Sequence, residues 1–194
     1  MHSAFSRRSF LATTALGMAS GCVRREGDAP PPDGSVQPTA EHAEQALGPR
    51  TLGILEAAMA RILPSDEDPG AKEARCVEFL RTQLEDPQLA AVKREMHLLA
   101  RVLEAAAKKA TGGAFPALTA VEQDEILGRA AEGKLPHPRG FDVTHAFRVL
   151  VSFTLEGFLS DPRHGGNAGG VGWKFAQFEP HAGHAHHGLP VVDK

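Results

Sequence analysis

Apolar residues in this chain recur at three- and four-residue steps, in stretches separated by proline and glycine. That spacing builds helices with one buried face and leaves little room for anything else. From Arg50 to Leu63 the apolar positions Leu52, Leu55, Met59, Ile62 and Leu63 mark a first helix, which Pro64 stops. Asp66-Glu67-Asp68-Pro69-Gly70 reads as a turn, and Ala71 to Leu84 as a second helix with Ala74, Val77, Phe79, Leu80 and Leu84 inward. Asp86-Pro87 breaks it, because proline lacks a backbone donor and disfavours helix just before itself. A third helix is predicted from about Gln88 to Ala110, with Val92, Met96, Leu99, Val102 and Leu103 inward and Lys108-Lys109 near its negative end. Gly112-Gly113 closes it. Thr119-Ala120-Val121-Glu122 has capping-box spacing and opens a short fourth helix through Ala131. A loop from Gly133 to Gly140 leads to a fifth, roughly Asp142 to Ser160, burying Phe147, Leu150, Val151, Thr154, Leu155 and Phe158. No alternating pattern or hairpin signal competes, and the absence of Tyr with only 6% aromatic residues agrees with helix over sheet. The expected fold is all-α, a small irregular bundle of about five helices in residues 41–178, with a glycine-rich C-terminal loop and flexible tails.

The N-terminus reads as an address. Ser6-Arg7-Arg8-Ser9-Phe10-Leu11 precedes an uncharged, moderately apolar run from Ala12 to Ala19, the layout of a signal peptide over residues 1–22. That run is too short for a bilayer-spanning anchor, which needs about 20 apolar residues. Arg7 and Arg8 directly before Phe10-Leu11 resemble the twin-arginine signal, whose machinery carries folded proteins. Ala19-Ser20-Gly21-Cys22 resembles a lipoprotein cleavage box, which would acylate Cys22 and tether the domain to a membrane surface. The other reading is ordinary cleavage nearby, with Cys22 incidental. Residues 23–40, with Pro30-Pro31-Pro32 and Pro38, suit a semi-extended linker.

Charge narrows the function. Without residues 1–21 the chain keeps 19 bases against 24 acids, and no basic, aromatic-studded stretch appears, which argues against nucleic acid. Cys76 lies inside an apolar helical pattern, so a buried free thiol is favoured over a disulfide with Cys22. The run from Asp161 through Gly165-Gly166-Asn167 to Gly172-Trp173 is not a phosphate cradle: a helix precedes it, none clearly follows, and Gly-Lys-Ser/Thr is missing. A compact loop whose glycines adopt backbone angles closed to other residues fits better. The single Trp173 is then either a lid on the core or a group offered to a partner. His181, His184, His186 and His187 are weak metal candidates in a tail over residues 179–194, without a scaffold to fix their geometry. Asp66, Glu67 and Asp68 read as polar punctuation, and His97 and His145 as lone helical histidines. No serine, cysteine or histidine constellation has nucleophile spacing, so no catalytic residue is assigned.

Three stretches resemble the gluconate 2-dehydrogenase subunit 3 family: Arg61-Ile62-Leu63-Pro64-Ser65-Asp66-Glu67-Asp68-Pro69-Gly70-Ala71, then Thr154-Leu155-Glu156-Gly157-Phe158-Leu159-Ser160-Asp161-Pro162, then Gly165-Gly166-Asn167 with Gly172-Trp173. The resemblance covers about residues 50–178. It implies a non-catalytic small subunit that binds a large flavoprotein of the glucose-methanol-choline oxidoreductase type, aids its maturation and carries the export signal for both. FAD would sit in that partner, none in this chain, and a multihaem cytochrome c often takes the electrons on. The chain would then be exported by the twin-arginine translocase to the periplasm. Pro162, Gly165, Gly166, Asn167, Gly172 and Trp173 are the expected partner interface. The alternative from another class is a free-standing periplasmic metal-binding lipoprotein using the histidine tail.

Overall fold

The structure, a computed structural model, describes residues 47–179. The export-signal residues Arg7, Arg8, Phe10 and Leu11, Cys22, the proline-rich linker and the histidines at 181, 184, 186 and 187 lie outside the described residues. Six α-helices and no strand occur among the described residues: α1 Pro49–Ile62, α2 Cys76–Gln83, α3 Ala90–Thr111, α4 Ala120–Ala131, α5 Val143–Leu159 and α6 Val171–Phe175. The first five are the predicted helices, most within a residue or two of their expected ends.

Local chemistry sets most of those ends. Pro49 opens α1 at the first position, where its missing N–H costs nothing. Gly112 ends α3 in the left-handed region at φ 77°. Thr119 and Glu122 form the expected capping box: the Thr119 N–H donates to Glu122 Oε2 at 2.8 Å and the Glu122 N–H to Thr119 Oγ1 at 3.4 Å. Asp142 caps α5 by accepting from the His145 N–H at 2.9 Å.

α2 begins five residues later than its apolar spacing predicts. Ala71 N–H donates to the Leu63 carbonyl at 2.8 Å, and Gly70 N–H to Glu73 Oε2 at 2.8 Å. The first bond ties the segment to the end of α1, the second closes a local turn, and Arg75 turns the chain through φ 57° before α2 starts. Gly70 is required by contact, since a Cβ there would lie 2.5 Å from the Leu63 carbonyl oxygen. Ala71 and Ala74 are nevertheless buried, so the apolar spacing survives in a non-helical turn.

α5 lies at the centre and packs on α1, α2, α3, α4 and α6. The interior is apolar: Leu55 and Met59 of α1, Leu80 of α2, Met96, Leu99 and Leu103 of α3 and Leu150 of α5 are all but inaccessible. Each such side chain contributes about 1.5–3 kcal/mol on leaving water. Leu52, Val77, Val92 and Leu155, expected inward, are half-buried. Phe115, in the short turn between α3 and α4, is fully buried, its N–H held by Glu104 Oε2 at 2.9 Å and its carbonyl by Gln123 Nε2 at 2.9 Å. Cys76 is buried and free. No helix among the described residues is long and apolar enough to cross a membrane.

Candidate functional site

The loop after α5 is fastened from inside. Asp161 starts it by accepting from the Arg163 N–H at 3.0 Å, and its other oxygen pairs with the Arg163 guanidinium at 2.8 Å. The chain then passes so near α5 that a Cβ on Gly166 would lie 2.2 Å from the Gly157 carbonyl oxygen. Gly157 in turn lies against α2, where its own Cβ would be 3.1 Å from the Cys76 Cα. Three backbones thus stack closely, with no room for a side chain at Gly166 and little at Gly157.

Asn167 locks the stack. It is fully buried, sits in the left-handed region at φ 47°, and donates its N–H to the Gly157 carbonyl at 2.7 Å. Its Nδ2 donates to the Ser160 carbonyl at 2.8 Å, and its Oδ1 accepts from the Gly172 N–H at 2.8 Å. Gly172 must be glycine as well, since a Cβ would lie 1.8 Å from the Phe158 carbonyl oxygen. The short helix α6 follows directly, contrary to the expectation that no helix succeeds the glycines. Five residues are too few to display a period of 3.6.

What this scaffold holds up is aromatic. Trp173 is half-buried, its indole N–H donating to the Leu159 carbonyl at 2.8 Å. Phe178 meets the indole edge-on at 5.5 Å, and Phe175 meets Phe158 the same way at 5.8 Å. Leu159, Phe175 and Phe178 remain 48%, 44% and 50% exposed. Leu159 also lines an open groove of about 590 Å³ between α2 and the end of α5, together with the apolar Phe79 and Leu155 and the polar Gln83, Glu156, Ser160, Asp161 and His164.

The six expected interface residues therefore divide. Gly166, Asn167 and Gly172 are buried within this chain, the two glycines in close backbone approaches and the asparagine in internal hydrogen bonds. Pro162 is exposed, and Gly165 and Trp173 are half-buried. Trp173 has its N–H satisfied internally and part of its ring exposed. Leu159, Phe175 and Phe178, exposed beside Trp173, were not among the expected residues. The signal available was the row Trp173, Phe175, Phe178 directly after the glycines, three large aromatic groups in six residues.

The remaining candidates gain no catalytic geometry. Among the described residues no three His, Cys, Asp or Glu side chains gather as a metal would require. Asp66 and Asp68 close their own turn, the Asp68 N–H donating to Asp66 Oδ1 at 3.0 Å. His97 Nδ1 lies 3.5 Å from the Thr51 hydroxyl, and His145 Nε2 3.7 Å from Glu95. Burial pushes the Cys76 thiol up to about 12, which keeps it protonated and unreactive at neutral pH.

Comparison with known proteins gives one finding: the model of the family described as gluconate 2-dehydrogenase subunit 3 matches residues 49–180. No curated protein and no solved structure matches the chain.

Proposed function

Since the chain belongs to the gluconate 2-dehydrogenase subunit 3 family, we propose that it is the non-catalytic small subunit of a periplasmic, FAD-dependent sugar or alcohol dehydrogenase complex. It assists maturation of the large flavoprotein and carries the export signal for the pair. FAD belongs to that partner, and this chain supplies no cofactor and no reacting group. A multihaem cytochrome c accepts the electrons, and acylation of Cys22 tethers the assembly to the membrane.

The observation that carries this reading is the apolar surface around Trp173. A buried asparagine in a left-handed conformation and two glycines in forced contact hold Leu159, Phe175 and Phe178 half in water. Left-handed backbone and forced close approaches limit which residues the loop can use, and exposed apolar groups gathered on one surface mark interaction sites. The surface available to a partner is Pro162, Trp173, Leu159, Phe175 and Phe178, with Gly165, Gly166, Asn167 and Gly172 giving it shape. The twin arginines support the export half of the proposal, because only a route for folded cargo lets one signal deliver two assembled chains.

Co-expression with the flavoprotein encoded beside it tests the proposal. The two chains are expected to co-purify with flavin in the large one, and replacing Arg7 and Arg8 by Lys is expected to retain both in the cytoplasm. A chain that stays alone beside its flavoprotein, or that oxidises a sugar unaided, would overturn it.

A further inference from the structure

We propose that the groove between α2 and the last turn of α5 receives a segment of the large subunit presenting a bulky apolar side chain beside a lysine or arginine. This rests on the small-subunit reading and adds where the partner docks and with what chemistry. The floor of the groove is apolar, made by Phe79, Leu155 and Leu159. It is open along its length, whereas sites for small molecules enclose 70–90% or more of their ligand. A polypeptide covers an open groove; a metabolite does not. Leu159 also belongs to the exposed surface around Trp173, so groove and aromatic patch form one continuous face.

The charges around the groove select the occupant. Asp161 is matched by Arg163 at 2.8 Å. Glu156 is exposed and takes part in none of the ion pairs among the described residues. Of the two carboxylates that line the groove, Asp161 therefore has a cation of its own and Glu156 has none, with His164 the other titratable group there. A purely apolar segment laid over the groove would strip water from Glu156 and give nothing back, a cost that grows with burial. A cation beside the apolar anchor removes that cost and adds attraction over distance, whereas an acidic segment is repelled.

The test is affinity between this chain and its purified flavoprotein, with folding of each variant checked by thermal unfolding. Glu156→Lys and Leu159→Ser, both at exposed positions, are expected to melt like the wild type and bind about tenfold more weakly. Salt is expected to weaken the wild-type complex more than that of Glu156→Gln, because the screened pair is missing in the variant. Val121→Ser, an apolar position 69% exposed on α4 and outside the groove, is expected to bind unchanged. If the wild type binds and both groove variants bind equally well, or if Val121→Ser weakens binding as much as they do, the groove is not the docking site and the small-subunit reading stands. If the wild type does not bind, both fall.

Discussion

At the scale of single residues, Asn167 carries more of the site than any other side chain. Its amide satisfies the Ser160 carbonyl at the end of α5 and the Gly172 N–H at the start of α6, in a place water does not reach. Asn167→Ala deletes both bonds and leaves a side chain less suited to positive φ. The expected loss is about 3 kcal/mol, from two buried hydrogen bonds and the left-handed backbone together. Chemical unfolding of the purified domain would measure it, and a loss below about 1 kcal/mol would mean the loop is held otherwise. The Gly-Gly-Asn motif was legible in the sequence, but its reasons were only half so. Unusual backbone angles explain Gly165, Gly169 and Gly170, at φ 94°, 65° and 67°. Gly166 and Gly172 are not at positive φ; they are glycine because another backbone stands where a Cβ would be. That cause depends on which helix lies opposite, and no local pattern encodes it.

Helices were legible where the apolar period ran for three turns or more, as in α1, α3 and α5. It failed where hydrogen bonds to a neighbouring element outweighed local preference, at the start of α2, and where the element was too short to have a period, in α6. The docking of α6 is testable through its one tryptophan, which is also the only one in the chain. Gly172→Ala places a methyl group onto the Phe158 carbonyl, and nothing flexible can yield. α6 is expected to lift off α5, breaking the bond from the indole N–H to the Leu159 carbonyl. Trp173 emission should then shift toward that of indole in water while far-ultraviolet dichroism barely changes, because only five helical residues are involved. The flavoprotein should be lost with it. An unshifted emission spectrum would show that α6 stays seated and that the close approach is relieved elsewhere.

Across the whole molecule, the features hardest to see in the sequence are polar bonds that join distant segments. Arg61 forks onto Asp124 through two bonds of 2.8 Å, tying α1 to α4, a pairing that no local spacing announces. Glu104 is the more consequential case. On the sequence it is one acid in a helical row, but the fold buries it and gives it Arg50 Nη2 at 2.8 Å, the Phe115 N–H at 2.9 Å and Lys108 at 3.8 Å. Burial by itself raises its pKa; the Phe115 N–H and the two cations outweigh that and hold the carboxyl below its ordinary 4.5. A carboxylate whose pKa is lower folded than unfolded stabilises the native state above its unfolded value, and that stability drains away as pH falls through the folded one. Glu73, Glu122 and Asp161 are also lowered by hydrogen bonds to their anions, but they are solvated and contribute less. Unfolding free energy is therefore expected to be flat from neutral pH down to about 4.5 and to fall below it, with Glu104 the steepest single contributor. Glu104→Gln should cost about 1–3 kcal/mol at pH 7, since a neutral amide leaves Arg50 unmatched and holds the Phe115 N–H less strongly. It should also flatten the acid limb. Thermal unfolding of both proteins between pH 7 and pH 3 would decide it: parallel curves would mean that Glu104 is not the charge that joins α1, α3 and the Phe115 turn.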